Sequence, residues 1–226
     1  MNEKITLSFK PKDVTKRLIT TLTKRAQDVL ISRYGLGAKP QKLTLDAIGK
    51  KYSVTRERVR QIENHSLASI RKSKAYKDAE AVFAELKAIL LDLGGIVSEK
   101  ELLSHLSKDQ SIQNHIHFLL VIGEEFKREK EDDEFKHRWH VDPELAQKIQ
   151  AALKKLYSKL SDDELVFESD LISSFLDEVK DLNEKYKNEE VIKRWLSISH
   201  KIDKNPLGEW GRTSSPNVNA KGMRDY

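Results

Sequence analysis

Apolar side chains in the first quarter of the chain follow the period of an α-helix. Leu22, Ala26, Val29 and Leu30 recur at i, i+4, i+7 and i+8, which places them in one stripe along a helix. Thr23 is suited to cap the start of this helix, and the stretch "GLGAKP" supplies the glycines and the proline that end it. The pattern therefore predicts a helix that follows Thr23, within helical spacing that begins near position 14.

Two shorter helices follow, joined by a tight turn. Thr44 is the expected N-cap of a helix over about residues 45–51, and Thr55 caps a third helix that continues to about Arg71. Gly49 is a small residue where the two helices would meet, and a side chain larger than alanine there would push them apart. The order helix, loop, helix, tight turn and helix predicts a helix-turn-helix unit.

The apolar pattern changes near residue 78. Residues 79–93 have helical spacing and end at a Gly-Gly pair. "IVSEKELLSHL" then predicts a short strand, a Ser98 cap and a second helix, and "IQNHIHFLLVIGEEF" predicts a third. The stretch "FKREKEDDEFKHRWHV" alternates around a charged tip, which predicts a β-hairpin with Phe126 and Phe135 on opposite strands. Three helices followed by a hairpin predict a winged helix.

The same order of elements recurs in the second half of the chain. Residues 149–160 are helical, "LVFESDLISSFL" resembles "IVSEKELLSHL" at a spacing of 69 residues, and "NEEVIKRWLSISHKI" predicts a further helix. "NPLGEWGR" then predicts a second wing, in which Trp210 takes the place of either Trp139 or Phe135. The tail "GRTSSPNVNAKGMRDY" has no apolar period, and its composition is typical of a linker.

These patterns predict a mainly α fold, with an N-terminal helix-turn-helix followed by two winged-helix domains that each carry a small β-hairpin. The predicted divisions are a flexible arm (1–13), the helix-turn-helix (14–76), a winged helix (77–145), a second winged-helix-like domain (146–212) and a linker or tail (213–226).

Charge is distributed unevenly between these regions. Residues 1–78 hold 19 Lys and Arg against 7 Asp and Glu, a net +12, whereas residues 79–226 hold 22 against 29, a net −7. A basic head on an acidic body favours a polyanion as the partner of the head. A solvated, lysine-rich surface without a partner has the same composition. Contact between the two oppositely charged parts is a further alternative, and it would be autoinhibitory.

Composition also restricts the location of the protein. Cysteine is absent, which excludes disulfides and thiolate zinc sites and fits a reducing cytoplasm. No apolar run approaches the length of a membrane span, and the first residues lack the apolar region of a secretory signal. We therefore expect a cytoplasmic, nucleoid-associated protein that does not bind a membrane.

Other groups of polar residues do not indicate catalysis. The pairs His115-x-His117 and His137-x-x-His140 lack acidic neighbours at ligand spacing, and the acidic hairpin tip at 129–134 is unsuited to phosphate. No Ser/His/Asp set, glycine-rich phosphate loop or carboxylate pair stands out. We expect no enzyme activity, no cofactor, no bound metal and no small-molecule substrate.

The third predicted helix, which contains "VTRERVRQIE", has two chemically distinct faces. One narrow face is apolar and holds Val59, Ile62, Ser66 and Ile70. The opposite face is polar and holds Glu57, Arg60, Gln61 and Asn64, flanked by Arg56 and Arg58. Arginine pairs with guanine, Gln or Asn with adenine, and Glu with cytosine, and each good bidentate pair discriminates by about 1–3 kcal/mol. A merely solvated helix would more often show Glu–Lys pairs at i and i+4. The N-terminal turn of a recognition helix enters the major groove, so this face is suited to contact bases.

The stretch "LTKRAQDVLISRYGLG…LTLDAIGKKYSVTRERVRQIE" resembles region four of the bacterial primary sigma-factor family. The resemblance covers roughly Leu18 to Arg71. In that family, region four recognises the minus-thirty-five promoter element and docks on the flap tip of the RNA polymerase β subunit. The resemblance therefore implies double-stranded promoter DNA and the polymerase β flap as partners. More weakly, the rest of the chain resembles winged-helix domains of polymerase accessory proteins and DNA-modification systems.

The resemblance also implies roles for single residues. Those expected to contact bases are Arg56, Glu57, Arg60 and Gln61. Those expected to contact phosphate or to flank the DNA are Arg25, Arg33, Thr44, Thr55, Arg58, Asn64, His65 and Arg71. Two positions depart from the family pattern, since Ser53 stands where glycine is frequent and Ala26 where a capping-box glutamate is common. An aromatic-rich region two has no counterpart before Leu18, so we expect that the chain alone is not a complete sigma factor.

Three functions stay open at this point. The first is a sequence-specific DNA-binding transcription regulator with sigma-like promoter recognition. The second is an adaptor that docks on RNA polymerase and binds DNA weakly. The third is a DNA-targeting subunit of a modification or defence system.

Overall fold

Residues 6–219 are described by a computed structural model. Within this range the fold is mainly helical, with two small antiparallel sheets. The chain forms two compact units. The first comprises the described residues up to 88 together with 103–126, and the second comprises 89–102 together with the described residues after 126.

Helices account for most of the regular structure. The helices of the first half are α1 (Pro11–Ile19), α2 (Lys24–Tyr34), α3 (Leu45–Tyr52), α4 (Arg56–Arg71), α5 (Lys74–Lys77), α6 (Glu80–Asp92), α7 (Glu99–Leu106) and α8 (Gln110–Ile122). Those of the second half are α9 (Pro143–Lys159), α10 (Glu168–Glu178), α11 (Glu189–Leu196) and α12 (Pro216–Asn219), with a 3-10 turn at Glu184–Tyr186. The strands are β1 (Ile96–Ser98), β2 (Lys127–Glu129), β3 (Arg138–His140), β4 (Ile202–Lys204) and β5 (Trp210–Arg212). The predicted mainly α fold with small β-hairpins is confirmed.

Threonine side chains fix the starts of two helices in the first unit. The Oγ1 atom of Thr44 accepts a hydrogen bond from the amide of Ala47, and that of Thr55 accepts one from Arg58, each at 3.1 Å. Each such cap stabilises a helix by about 1 kcal/mol. Thr23 precedes α2 but makes no side-chain cap bond. The starts of α3 and α4 are therefore defined more strongly than that of α2.

The turn between α3 and α4 brings backbone close to Gly49. Ser53 ends α3 with φ 54°, the left-handed conformation in which glycine is usual. A Cβ atom on Gly49 would lie 2.7 Å from the carbonyl oxygen of Val54 and 3.5 Å from the amide nitrogen of Arg56. Position 49 is therefore too tight even for the methyl group of alanine, whereas the sequence predicted that only a side chain larger than alanine would push the helices apart. The atoms that set this limit belong to the turn rather than to a helix face.

The helix-turn-helix closes over a small apolar core. Val29 of α2, Ile48 of α3 and Val59 of α4 are almost fully buried. The partly buried residues packed around them are Leu43, Leu45, Tyr52, Val54 and Ile62. Each of the three helices thus contributes one valine or isoleucine to a shared core, which holds α4 against α2 and α3.

Helix α8 completes the first unit by packing against α1, α2 and α4. Phe118 is fully buried, and its ring meets the Tyr34 ring edge-on at 5.1 Å between centroids. The sequence assigned this helix to a separate winged helix over 77–145. In the structure it lies in the same compact unit as the helix-turn-helix, because its apolar side chains are buried against those three helices.

An asparagine on α8 holds the loop that follows α2. The Nδ2 atom of Asn114 donates to the carbonyl oxygens of Gly35 at 3.1 Å and Pro40 at 2.9 Å. Gly35 ends α2 in the left-handed region, and a Cβ there would lie 2.6 Å from that same Nδ2 atom. The loop between α2 and α3 is therefore anchored from α8.

The sheet of the second unit has the order β1-β3-β2, all antiparallel. Val97 of β1 pairs with Trp139 of β3, and β2 pairs with the other edge of β3, so the predicted hairpin is present. Phe126 and Phe135 lie outside these strands, which corrects their predicted placement on them. In the second half, β4 pairs with β5, and an isolated bridge joins Val166 to Trp210.

The two tryptophans of these pairs make equivalent hydrogen bonds. The Nε1 atom of Trp139 donates to Glu99 at 2.9 Å, and that of Trp210 donates to Glu168 at 3.1 Å. Each glutamate is the first residue of a helix, α7 and α10 respectively. Trp210 therefore corresponds to Trp139 rather than to Phe135, and the repeat inferred from sequence has a structural counterpart.

The core of the second unit is built from its three long helices and both hairpins. Phe175 of α10 and Trp195 of α11 are fully buried at its centre, with ring centroids 5.9 Å apart. The Nε1 atom of Trp195 donates to the carbonyl oxygen of Gly94 at 3.0 Å. All three tryptophans of the chain are thus buried and donate hydrogen bonds inside the protein.

Both ends of the described range are folded where flexible segments were predicted. The amide of Ser8 donates to the Oε1 atom of Glu85 at 2.8 Å, and Pro11 begins α1. Near the other end, Ser215 and Val218 are buried around the short helix α12. The predicted arm and linker are therefore folded at residues 8–13 and 215–219. Their outermost parts, 1–5 and 220–226, lie outside the described residues.

Candidate nucleic-acid interface

Helix α4 presents one buried and one exposed face. Its buried residues are Val59, Glu63, Ser66, Leu67 and Ile70. Its exposed polar residues are Arg56, Glu57, Arg58, Arg60, Gln61, Asn64 and His65. All four residues expected to contact bases therefore lie on the exposed face, in the first two turns of the helix.

Glu57 and Arg60 form a bidentate ion pair on this face. The Nε atom of Arg60 lies 2.8 Å from one oxygen of Glu57, and its NH2 lies 2.7 Å from the other. These hydrogen bonds hold the pKa of the Glu57 carboxyl below its ordinary value and raise the pKa of the Arg60 guanidinium. Because both side chains are about half exposed, the pair orients the guanidinium more than it stabilises the fold.

Gln61 connects this pair to Arg58. The Nε2 atom of Gln61 donates to Glu57 at 3.4 Å, and its Oε1 atom accepts from Arg58 at 3.2 Å. Four neighbouring side chains thus restrict one another before any partner binds. A surface ordered in this way loses less conformational entropy when it binds.

Residues from α2 and α4 meet around one open groove. The side chains that line it are Thr23, Arg25, Ala26, Arg58, Gln61, Ile62, His65 and Ser66. Arg25, Arg58 and His65 were each expected at phosphate or at the flank of the DNA, and the fold places them along the same groove. Two arginines and a histidine around one groove are suited to bind a phosphate backbone.

The two capping threonines retain a donor for a phosphate. Their Oγ1 atoms accept backbone hydrogen bonds at the starts of α3 and α4. A hydroxyl has one donor hydrogen besides its acceptor lone pairs, so capping leaves the O–H of Thr44 and Thr55 available. Both residues are exposed.

Two of the expected arginines are engaged within the protein. Arg33 donates to the carbonyl oxygen of Leu43 at 3.3 Å and lies 3.4 Å from Glu63. Arg71 donates to the backbone carbonyls at positions 121 and 122, at 3.0 Å each, at the end of α8. Their guanidinium groups are therefore committed to intramolecular contacts, and the expectation that they bind DNA stays a prediction.

Glu63 joins α4 to α2 beneath the exposed face of α4. Its Oε1 atom accepts a hydrogen bond from the Tyr34 hydroxyl at 2.8 Å, and it lies beside Arg33. Burial, followed by the charge of Glu63, raises the pKa of Tyr34 far above its ordinary value, so the phenol is a permanent donor. This buried contact was not foreseen, because a glutamate in a charged stretch is usually solvated.

Lys50 is a second residue that the sequence did not single out. It lines an open surface beside the turn together with Thr55 and Arg56. An exposed lysine next to a capping threonine is suited to a phosphate contact. Its position becomes evident only when the turn is folded.

Metal-ligand clusters and membrane-spanning helices were sought in the part of the chain that the structure describes. Within 6–219, no group of three or more His, Asp or Glu side chains is arranged to hold a metal ion. In the same range, no helix is both long and apolar enough to cross a membrane.

The capped helices, the tight turn and the buried face of α4 define a helix-turn-helix domain. Residues 18–72 match the family model of sigma-70, region 4, which confirms the resemblance seen in the sequence. Over 70 residues the chain is 41% identical to RNA polymerase sigma factor SigA of Clostridium acetobutylicum, covering 30% of this chain and 18% of that protein. Over 54 residues it is 48% identical to RNA polymerase sigma factor SigA1 of Synechococcus elongatus, covering 24% and 13%.

Each of these similarities covers less than a third of the chain. A third relative, RNA polymerase sigma factor RpoD of Neisseria gonorrhoeae, is 41% identical over 59 residues, 26% of this chain and 9% of that protein. The chain thus spans less than a fifth of the length of these relatives. No solved structure matches it.

Proposed function

We propose that the chain is a sequence-specific transcription regulator that binds double-stranded promoter DNA through the exposed face of α4. The observation that carries the proposal is the cluster of Arg56, Glu57, Arg60 and Gln61 on the first two turns of that helix. It lies in a segment that matches sigma-70, region 4.

The chemistry of this face supports direct recognition of base pairs. An arginine bonds a guanine with two donors, a glutamine bonds an adenine, and a glutamate accepts from cytosine. Glu57 holds Arg60 by its Nε and NH2 atoms, which leaves NH1 for a base or a phosphate. The N-terminal residues of a recognition helix are those that reach base edges in the major groove.

The surrounding residues support a separate role in backbone contact. Arg25 and His65 line the groove beside Arg58, and Thr44 and Thr55 expose hydroxyl donors at two helix starts. Phosphate contacts fix the register of a protein on the duplex and supply the salt-dependent part of the affinity. We propose these residues, with Asn64, as the backbone contacts.

RNA polymerase is the proposed protein partner. The relatives that match the domain are named RNA polymerase sigma factors. We propose that the domain docks on the β flap, and that the protein acts in the cytoplasm at the nucleoid. The adaptor and the DNA-targeting subunit are tested by the same experiment, since each predicts a different dependence on base sequence.

The test is fluorescence anisotropy of the full chain with two labelled duplexes, a TTGACA-type minus-thirty-five duplex and a scrambled one, at two salt concentrations. We expect the specific duplex to bind tighter by about 1 kcal/mol or more. Arg60→Ala and Gln61→Ala should remove that preference. Arg58→Ala should weaken both duplexes alike and lower the salt slope by about one.

The matched control is Arg17→Ala, which removes an exposed arginine of α1 in the same unit. It should change neither the preference nor the affinity for either duplex by more than about twofold. An equal loss of affinity in Arg17→Ala and Arg60→Ala would mean that the protein binds DNA through its net charge rather than through base contacts. Absence of binding to either duplex at low salt would refute the proposal and favour the adaptor. Salt-dependent binding of both duplexes without preference would indicate a different cognate sequence, as expected of the DNA-targeting subunit.

A further inference from the structure

We infer that the first unit contains a second binding site, a cavity that takes a small organic anion with an apolar body. The cavity lies between α1, α2, the loop after α2 and the start of α8. Its volume is about 600 Å³, which is within the usual range of small-molecule sites. None of the residues on the exposed face of α4 lines it, so it is distinct from the candidate nucleic-acid interface.

Two of the residues that line it carry a buried polar atom without a hydrogen-bond partner. These are the Oγ1 atom of Thr15, a residue 1% exposed, and the Nδ1 atom of His115, a residue 6% exposed. Nearly all buried polar atoms in native proteins are hydrogen-bonded, so two unpaired ones beside one cavity indicate a polar group that reaches them on binding. A hydroxyl donates one hydrogen, and Nδ1 donates in the appropriate tautomer of histidine. Each can therefore donate a hydrogen bond to a polar group that reaches it.

The mouth of the cavity is basic. Lys12 and Lys16 of α1 and Lys24 of α2 line it, and all three are exposed. No Asp or Glu is among its lining residues. Clustered charge of one sign attracts and orients an oppositely charged ligand. The charge on the ligand is therefore negative.

The rest of the wall is apolar. Ile19, Ile31 and Leu36 contribute side chains from α1, α2 and the following loop. Pockets that combine apolar walls with a few convergent polar groups are typical of small-molecule sites. Because the unpaired polar atoms belong to the buried residues Thr15 and His115, the anionic end must point into the cavity while the apolar body covers the three apolar side chains. A carboxylate or sulfonate on a ring system or short alkyl chain has this form.

This inference does not rest on the proposed function, because its readout requires no DNA. The probe is 1-anilinonaphthalene-8-sulfonate, which carries a sulfonate on an apolar ring system and fluoresces when it leaves water. The neutral N-phenyl-1-naphthylamine has the same rings without the charge. We expect saturable binding of one sulfonate probe per folded full-length chain, and at least about fivefold weaker binding of the neutral probe.

Three variants assign the site. Lys16→Glu should weaken binding of the sulfonate by about fivefold, whereas the matched reversal Arg17→Glu, next to it on α1 but outside the cavity, should change it by less than about twofold. Thr15→Val keeps the shape of the side chain and removes the unpaired hydroxyl. It should raise the melting temperature of the free protein and weaken the sulfonate by about threefold. Circular dichroism verifies that each variant is folded.

Several results would overturn the inference. These are equal affinity for the two probes, equal effects of Lys16→Glu and Arg17→Glu, or a Thr15→Val protein that is more stable yet binds the sulfonate unchanged. The last result would mean that water alone satisfies the two buried atoms. Displacement of the sulfonate by octanoate supports a small anion. Displacement by an acidic amphipathic peptide but not by octanoate would assign the cavity to a protein segment instead.

Discussion

Replacing Gly49 with alanine should loosen the helix-turn-helix at its turn. The added Cβ would lie 2.7 Å from the carbonyl oxygen of Val54, closer than such atoms approach, and the atom it meets is backbone. Overpacking costs about 1–3 kcal/mol, and we expect the upper part of that range, about 2–3 kcal/mol, because the backbone oxygen cannot rotate away. Alanine recovers about 1 kcal/mol over glycine in a helix. The expected net loss is therefore about 1–2 kcal/mol, located where α3 turns into α4.

Hydrogen exchange measured by mass spectrometry is the suitable assay, because the chain forms two compact units and a single unfolding curve would average them. A loss of about 1–2 kcal/mol corresponds to exchange about 5 to 30 times faster in peptides from α3 and α4. Peptides from the second unit should be unchanged.

The matched control is Gly37→Ala. The nearest atom to a Cβ at position 37 is a side-chain carbon of Ile31 at 3.4 Å, an ordinary contact. That substitution should change stability by less than about 0.5 kcal/mol. If Gly49→Ala exchanges at the wild-type rate while Gly37→Ala does the same, the turn is not as tight as the structure indicates and the reasoning fails.

Three further substitutions test hydrogen bonds within the first unit. Thr55→Ala removes the N-cap hydrogen bond to the Arg58 amide and should destabilise α4 by about 1 kcal/mol in the same exchange measurement. Thr55→Ser keeps the hydroxyl and should restore the stability of α4. Tyr34→Phe takes a hydrogen bond from the buried Glu63 and should cost about 1–3 kcal/mol. A double-mutant cycle with Glu63→Gln should show coupling, and additive effects would contradict the contact. Asn114→Leu removes two hydrogen bonds to the loop after α2 and should speed exchange there, while unchanged protection would show that the loop is held by other contacts.

The helix-turn-helix could be predicted from the sequence because its signals are local. Thr44 and Thr55 cap the helices that follow them, and the period of Val59 and Ile70 identifies the buried side of α4. Capping and periodicity act within one or two turns of chain. The same period also predicted which side chains of α4 lie on its exposed face.

The partners of the helices could not be predicted in this way. The pattern of α8 shows that the helix has apolar faces, but nothing in it shows that they pack on α1, α2 and α4. Glu63 occupies a charged stretch, and only the folded chain brings Tyr34 to its carboxylate. The cavity formed around Thr15 and His115 depends on the same long-range packing, so the sequence predicted no small-molecule site there.

The return of α8 to the first unit has a consequence for folding and for fragment design. The chain leaves this unit after residue 88 and rejoins it at 103, and α8 ends only at Ile122. Contacts between α1 and α8 therefore close a loop of nearly a hundred residues, which is slow compared with forming local helices. During synthesis the helix-turn-helix stays incomplete until α8 has left the ribosome. A fragment that stops near residue 78 would leave the apolar surface beneath α8 open to water and prone to aggregation, so a soluble fragment that contains the helix-turn-helix should extend at least to residue 126.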